Sequence, residues 1–278
     1  MELTVLPVTQ VDFTAYVRAF NDAYKGYLVP IHLTTEQMRL SIAQNQIDLE
    51  ASRVILDGEQ IVGVGSLAIR GELGWVGGVG VAPSHRRKGI GRQLMHTLFD
   101  AARDRGLSHI QLEVITSNTA AHALYVDLGF ASLQDLLVVE CDGPPRFDPD
   151  PSFAFKDILT PEALDYYADF HDTPIPWQRQ QASMQAMTQL TAWAVWREGV
   201  FSAYATGIMA PGQVYLVDVA FDTGEEAALG HLLAYIHNQR PEVPARLINL
   251  GAGDPAWPIL RALGFVETLR QYEMHLDL

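Results

Sequence analysis

The sequence predicts an α/β (α+β) protein of two tandem domains, each a mixed, mostly antiparallel sheet flanked by helices. Three observations lead there. Strand-like runs come in consecutive groups separated by tight turns, the signature of a meander. Each group is followed by one amphipathic helix and a further strand, a crossover that sets two strands parallel. The same order of elements then occurs on both sides of "CDGPPRFDPDP" (Cys141 to Pro151), which holds four prolines and three aspartates in eleven residues. Proline removes backbone donors and aspartate favours turns, so this stretch reads as a linker. The expected boundaries are a first domain at 1–141, a linker at 142–151 and a second domain at 152–278.

In the first half, "LTVLPV" reads as a short strand, and Phe13, Val17 and Phe20 recur at helical spacing between Val11 and Tyr24. "TTEQMRLSIAQNQ" opens a second helix with Thr35 as its expected N-cap. "SRVIL" and "IVGVGSLAI" flank Asp57-Gly58, a hairpin dipeptide, and Arg70-Gly71-Glu72 turns into "LGWVGGVGV". A helix follows with Ile90, Leu94, Leu98 and Ala102 on one face and Gly106 as its stop. "HIQLEVI" is a strand, "TAAHALYVDLGF" a helix closed by Gly129, and "LQDLLVVE" the last strand of the domain. In the second half, "TPEALDYYADF" and "WQRQQASMQAM" read as helices, followed by strands at "TAWAVW", "VFSAYATGIM" and "QVYLVDVAF". "EEAALGHLLAYIHNQ" is a helix, "ARLINLG" a strand, "AWPILRALGF" a short helix and "RQYEMHLDL" a final alternating strand.

Bulk composition narrows the function classes. Hydrophobic residues make up 48% and charged residues 19%, which suits a globular protein with a core. Net charge is −14, with 11 basic against 15 acidic residues up to Cys141 and 8 against 18 after it. Such a surface disfavours nucleic acid and anionic membranes and tolerates a cationic substrate. No apolar run approaches a membrane span, and Met1-Glu2-Leu3-Thr4 does not begin a secretory leader. Cys141 is the sole cysteine, which excludes an internal disulfide and a cysteine zinc cluster and fits a reducing cytoplasm. No metal is expected.

The stretch "SHRRKGIGRQLM" (Ser84 to Met95) packs three cations against Gly89-x-Gly91 between a strand and a helix. Unpaired amides at a helix start, the helix dipole and nearby cations together suit an anion. A P-loop would need Gly-Lys-Ser/Thr where Gly91 is followed by Arg92-Gln93, and a dinucleotide fingerprint begun at Gly89 fails at Leu94. Gly77, Gly78 and Gly80 are costly inside a strand and point to a bulge or a close backbone approach.

Taken in order, "VGVAPSHRRKGIG", "LEV", the asparagine of "SNT" and "ALYVDLGF" resemble the GNAT N-acetyltransferase superfamily, from about Asp57 to Phe130. The resemblance implies acetyl-coenzyme A as co-substrate. Its pyrophosphate would lie on the loop of Arg86, Arg87, Lys88, Gly89, Ile90 and Gly91, with Arg92 nearby, and its amide-bearing arm along the backbone of Val79 and Val81. Asn118 matches the asparagine that binds the arm, and Tyr125 the tyrosine that acts as general acid. His85 departs from the pattern, standing where an aromatic residue is frequent. Glu113 with Tyr125 is similar to the pair in acetyltransferases of protein N-termini, where the glutamate is the base; the strand position alone equally suits a half-exposed structural residue. "DAYKGYLVPIHLTTEQM" resembles an entrance segment of tandem GNAT proteins, and Tyr24 and Tyr27 would line an acceptor cleft or pack in the core.

Aligning "LYVDLGF" with "ILRALGF" sets Tyr125 opposite Leu260 and Asn118 opposite Gly253, while "FDTGEEAALG" offers Gly224, Glu225 and Glu226 opposite the cationic loop. Acidic side chains there repel a pyrophosphate. The second domain is therefore expected to be a degenerate GNAT-like copy, and the function to be acetyl transfer to a primary amine of a small molecule or peptide by direct attack. The alternative is a non-catalytic acyl-coenzyme A sensor, which needs the loop but neither Glu113 nor Tyr125.

Overall fold

The computed structural model describes residues 3–143 and 150–278, so most of the expected linker lies outside the described residues. The described chain runs β1 (Leu3–Pro7), α1 (Phe13–Ala23), α2 (Thr35–Asn45), β2 (Arg53–Asp57), β3 (Gln60–Arg70), β4 (Leu73–Val81), α3 (Ile90–Arg103), β5 (His109–Ile115), α4 (Thr119–Asp127) and β6 (Ala131–Cys141). It continues as β7 (Phe153–Ile158), α5 (Thr160–Leu164), α6 (Tyr167–Phe170), α7 (Gln181–Gln185), β8 (Thr191–Arg197), β9 (Val200–Ala210), β10 (Gln213–Phe221), α8 (Glu226–Asn238), β11 (Ala245–Gly251), α9 (Ala256–Ala262) and β12 (Val266–Asp277). These elements form two compact units: Met1–Leu133 with Tyr272–Leu278, and Gln134–Gln271.

In the first unit β1 to β4 are antiparallel neighbours, β5 joins β4 in parallel, and the end of β12 lies beside β5. The second unit repeats this layout: β7 to β10 are antiparallel, β11 joins β10 in parallel, and β6 lies antiparallel beside β11. The expected order of elements holds in the first unit, but the strands that close the two sheets do not follow the boundary drawn at Cys141. Gln134–Cys141 belong to the second unit and Tyr272–Leu278 to the first. Alternation marks a segment as a strand; it does not say which distant edge that strand will join.

Local signals explain most element boundaries. Asp12 caps α1 by accepting from Ala15 N–H at 2.8 Å. Thr34, not the expected Thr35, caps α2, because Thr34 and Gln37 form a reciprocal capping box. Ile90, Leu94, Leu98 and Ala102 are all at most 1% exposed and seat α3 on the sheet. Burial of each of the three large side chains stabilises by about 1.5–3 kcal/mol. The sequence reading places no strand at β7: its short run "FAFKDI" follows the linker region directly, and only half of its residues are exposed. The two helices expected before β8 are broken into α5 with α6, and a 3₁₀ turn at Trp177–Arg179 with α7.

Candidate active site

β4 and β5 are paired only from Leu73↔His109 to Trp75↔Gln111, after which the strands part. The parting coincides with a bulge in β4. Leu67 faces Val76 and Ser66 faces Gly78, so Gly77 is the extra residue. Ala82 N–H donates to Val62 O at 2.9 Å, which fixes the ladder alternation. Val79 and Val81, opposite Gly65 and Gly63, therefore turn their backbone groups away from β3 and toward the parting. The room left by two of the β4 glycines is taken up by Ala23 and Tyr24. A Cβ on Gly78 would stand 2.6 Å from the Tyr24 hydroxyl, and one on Gly80 would stand 2.8 Å from Ala23 Cβ.

A cavity of about 700 Å³ occupies the opening in this unit. Val79, Val81, Arg86, Arg87, Gly89, Ile90, Gly91, Arg92, Asn118, Tyr24, Tyr27 and Tyr125 line it. Lys88 and Glu113 are not among the lining residues. Gly89 is the left-handed N-cap of α3 and supplies no side-chain cap. The first intrahelical bond from Gly89 O is taken by Gln93 N–H, so the amides of Ile90, Gly91 and Arg92 stand ahead of it. Arg87 also has positive φ, and a chain bent through left-handed residues turns successive amides toward one concavity. This donor set fits a diphosphate.

Two cations of the loop have structural duties that the motif did not reveal. Arg86 Nε donates to Val81 O at 3.1 Å, and its Nη2 donates to Ala23 O and Lys25 O at 3.0 and 3.1 Å. Its guanidinium thus joins the loop to the C-terminal end of α1, where helix carbonyls attract a cation. Arg92 Nη2 pairs with Asp127 at 3.1 Å. Arg86→Ala is expected to speed amide exchange in Lys25–Leu28, for loss of roughly 1.5 kcal/mol of charged hydrogen bonding to the Ala23 and Lys25 carbonyls. Exchange mass spectrometry on the variant checks this.

Asn118 caps α4 by accepting from Ala121 N–H at 3.3 Å, so part of its bonding capacity is used locally. Tyr125 projects from α4, is 8% exposed, and packs its ring 5.9 Å from that of Phe130. Burial, and then the neighbouring Tyr27, push its pKa up, so the phenol is protonated at neutral pH. Tyr24 is raised likewise, by burial and then by Tyr125, Tyr27 and Tyr16; its ring meets Tyr27 edge-on at 5.2 Å. Tyr24 and Tyr27 therefore both pack and line the cavity. Glu113 lies past the parting on β5, and its carboxylate accepts from Trp75 Nε1 at 2.9 and 3.1 Å.

The second unit has the same parting and fills it differently. Its parallel pairing ends at Leu216↔Leu247, and a bulge places Asp218 where Gly78 stands in the first unit. Arg179, 1% exposed, donates from Nη2 and Nε to Asp218 at 2.7 and 3.1 Å, and from Nη1 to Asp254 at 3.1 Å. Tyr204 O–H donates to the other oxygen of Asp218 at 2.8 Å, and His171 Nε2 lies 3.3 Å from it. The position opposite Tyr125, Leu260, is fully buried. The loop before α8 carries Glu225, paired with Arg197 at 3.4 Å. Asp218, a charged residue within the apolar run "VYLVDVAF", was the one sequence signal of this cluster.

Burial opposes charge on Asp218, but His171 and Arg179 hold its pKa down to about 2. Burial also opposes charge on His171, yet Asp218 leaves its pKa raised. A raised histidine contributes stability that is complete below its unfolded value of about 6.5 and is lost as pH rises through the higher folded value. The depressed aspartate contributes stability above about pH 3.9 that is lost as pH falls through about 2. Urea midpoints between about pH 6 and 8 are expected to decline more steeply for the parent protein than for His171→Gln.

Residues 17–130 match the family model described as "Acetyltransferase (GNAT) family". The match to the GNAT acetyltransferase family is confined to this stretch, which lies within the first unit. Streptothricin acetyltransferase of Streptomyces lavendulae is 53% identical over 51 residues, 18% of this chain and 27% of that protein. The ribosomal protein bS18-alanine N-acetyltransferase of Escherichia coli (strain K12) is 46% identical over 52 residues, 19% of this chain and 35% of that protein. The chain spans about a quarter to a third of the length of these curated relatives. A GCN5-related N-acetyltransferase from Sphaerobacter thermophilus superposes with a TM-score of 0.76 at 14% identity, covering 99% of this chain and 95% of that one. A tandem GNAT protein of the clavulanic acid biosynthesis pathway gives 0.69 at 16% identity, covering 99% and 98%. At these identities the likeness is one of fold. No helix among the described residues is long and apolar enough to cross a membrane.

Proposed function

We propose that the first unit transfers an acetyl group from acetyl-coenzyme A to a primary amine of a small molecule or peptide, and that the second unit binds no coenzyme. The observation that carries this reading is one cavity with an amide-rich helix start at one end and the Tyr125 phenol in its wall. The amides of Ile90, Gly91 and Arg92, with Arg87, would hold the pyrophosphate, and the turned-out backbone of Val79 and Val81 would pair with the amide-bearing arm. Acetyl-coenzyme A supplies an acetyl thioester, whose C–S bond is exchanged for a C–N bond on the acceptor with release of one proton. Tyr125 donates its hydroxyl hydrogen toward the sulfur as negative charge develops there, and recovers a proton from solvent. With its pKa raised by burial, the phenol acts more by hydrogen-bonding the leaving sulfur than as a strong acid. The single buried Cys141 lies outside this site, which favours direct attack and suits a reducing, cytoplasmic setting.

Calorimetry with acetyl-coenzyme A tests the reading. One site per chain is expected, lost when Gly91→Glu places a carboxylate at the α3 N-terminus. Two sites would overturn the assignment of the second unit, and none would overturn the reading of the cavity. Turnover against a panel of amines and N-terminal peptides then separates an enzyme from an acyl-coenzyme A sensor.

A further inference from the structure

The face of the first unit's sheet opposite α3 carries a polar row. Leu278 N–H donates to Ser108 O at 2.9 Å, and His109 Nδ1 meets Asp277 at 2.7 Å, so the end of β12 runs antiparallel to its neighbour β5. Continued residue by residue, this register sets Ile110 against Leu276, Leu112 against Met274 and Val114 against Tyr272. All six belong to the apolar cluster under α3, which supports the register along the whole overlap. The alternate residues face the other way, Gln111 opposite His275 and Glu113 opposite Glu273.

Opposite residues of an antiparallel pair hold their Cβ atoms about 4.5–5.5 Å apart. Glu273 is 2% exposed, and Glu113 is half-buried where β4 and β5 have parted. Two carboxylates at that separation bind one proton more tightly than either would alone. The adjacent row is polar too: the buried Nε2 of Gln111 and Nδ1 of His275 have no hydrogen-bond partner among the described residues. On the same face stand Arg70, bonded to Gln46, and the His109–Asp277 pair; α1 contributes Tyr16, bonded to Ser66, and Tyr24, over Gly78.

We propose that Glu273 is the positioning partner of Glu113, the two carboxylates forming a coupled pair that accepts the proton of the acceptor ammonium. The inference rests on the acetyl-transfer reading above and supplies its base. The N–H bond of the ammonium breaks, the proton passes by way of water to the pair's ionised carboxylate, since Glu113 stands behind the cavity wall and does not line it, the amine keeps the electron pair with which it attacks, and the pair later returns the proton to solvent. Glu273 acts through Glu113 by raising its affinity for that proton.

The full-length protein, carrying ¹³C at glutamate Cδ, is titrated by NMR from about pH 3 to about pH 9, with Glu113→Gln and Glu273→Gln assigning the two resonances. One carboxyl of the pair is expected to titrate at least about one unit above the ordinary value of about 4.3. Glu273→Gln should lower the Glu113 midpoint by about one unit, and Glu273→Asp should retain the coupling. Should Glu273→Gln not fold, Glu113→Gln reports the same coupling at Glu273. Midpoints for both carboxyls at or below the ordinary value, or a Glu113 midpoint indifferent to Glu273→Gln, would overturn the proposal. This titration needs neither coenzyme nor acceptor, so its failure and a failure to bind acetyl-coenzyme A are separate results.

Discussion

Replacing Tyr125 by phenylalanine is expected to lower turnover about a hundredfold, the lower range for loss of a positioned proton donor. Coenzyme affinity should change by less than about twofold, because the ring and its packing on Phe130 are kept and the pyrophosphate loop is untouched. The contrast separates chemistry from structure. If Tyr125 merely filled space, Tyr125→Phe would leave kcat intact and Tyr125→Ala would lower the melting temperature. If the phenol chiefly bound the ground state, KM would rise while kcat held. The measurement is kcat and KM with an acceptor returned by the amine panel, alongside the calorimetric Kd. The raised pKa adds a further expectation: through the neutral range the phenol stays protonated, so any basic decline of activity should lie above pH 10, the ordinary tyrosine value.

The parts of this site legible from sequence are those made by neighbours along the chain. Gly89 and Gly91 lead into α3, Asn118 and Tyr125 share α4, and the glycines of β4 announced a bulge, which the structure places at Gly77. Each depends on dihedral preference or short-range spacing. What stayed hidden depends on long-range pairing. Arg86 reads as a phosphate ligand in its motif, yet it bonds carbonyls at the end of α1, some sixty residues earlier in the chain. Periodicity found β6 and β12 but could not say which parallel pair each would close, so Glu273 gave no sign of standing beside Glu113. Tyr24 could be read as packing or as cavity wall because it is both, touching the glycines of β4 with one edge. The acidic character of the loop before α8 is legible in the sequence; the charged cluster that fills the second unit's parting is not, because Arg179 is distant in sequence from both of its carboxylate partners.

Arg179→Ala is expected to cost about 3–5 kcal/mol, the effect of stripping the cation from a buried ion cluster. Asp218 is fully buried and Asp254 is 8% exposed, so neither can turn to water when the guanidinium is removed. The cost should fall on the second unit, with amide exchange accelerating in β10 and β11 before α3 and β5 respond. Exchange is the suitable measure, since two units need not unfold in one transition. Methylguanidinium added to the alanine variant should restore part of the protection, because the vacated volume is lined by two carboxylates and the Asn249 carbonyl, 3.5 Å from Arg179 Nη1. Acetyl-coenzyme A should still bind once per chain, through the first unit. A variant that lost coenzyme binding together with β10 protection would show that the first site depends on the second unit. If protection in β10 and β11 were unchanged, the parting in the second unit would be held by its apolar packing, and Arg179 would be a buried charge without a stabilising role.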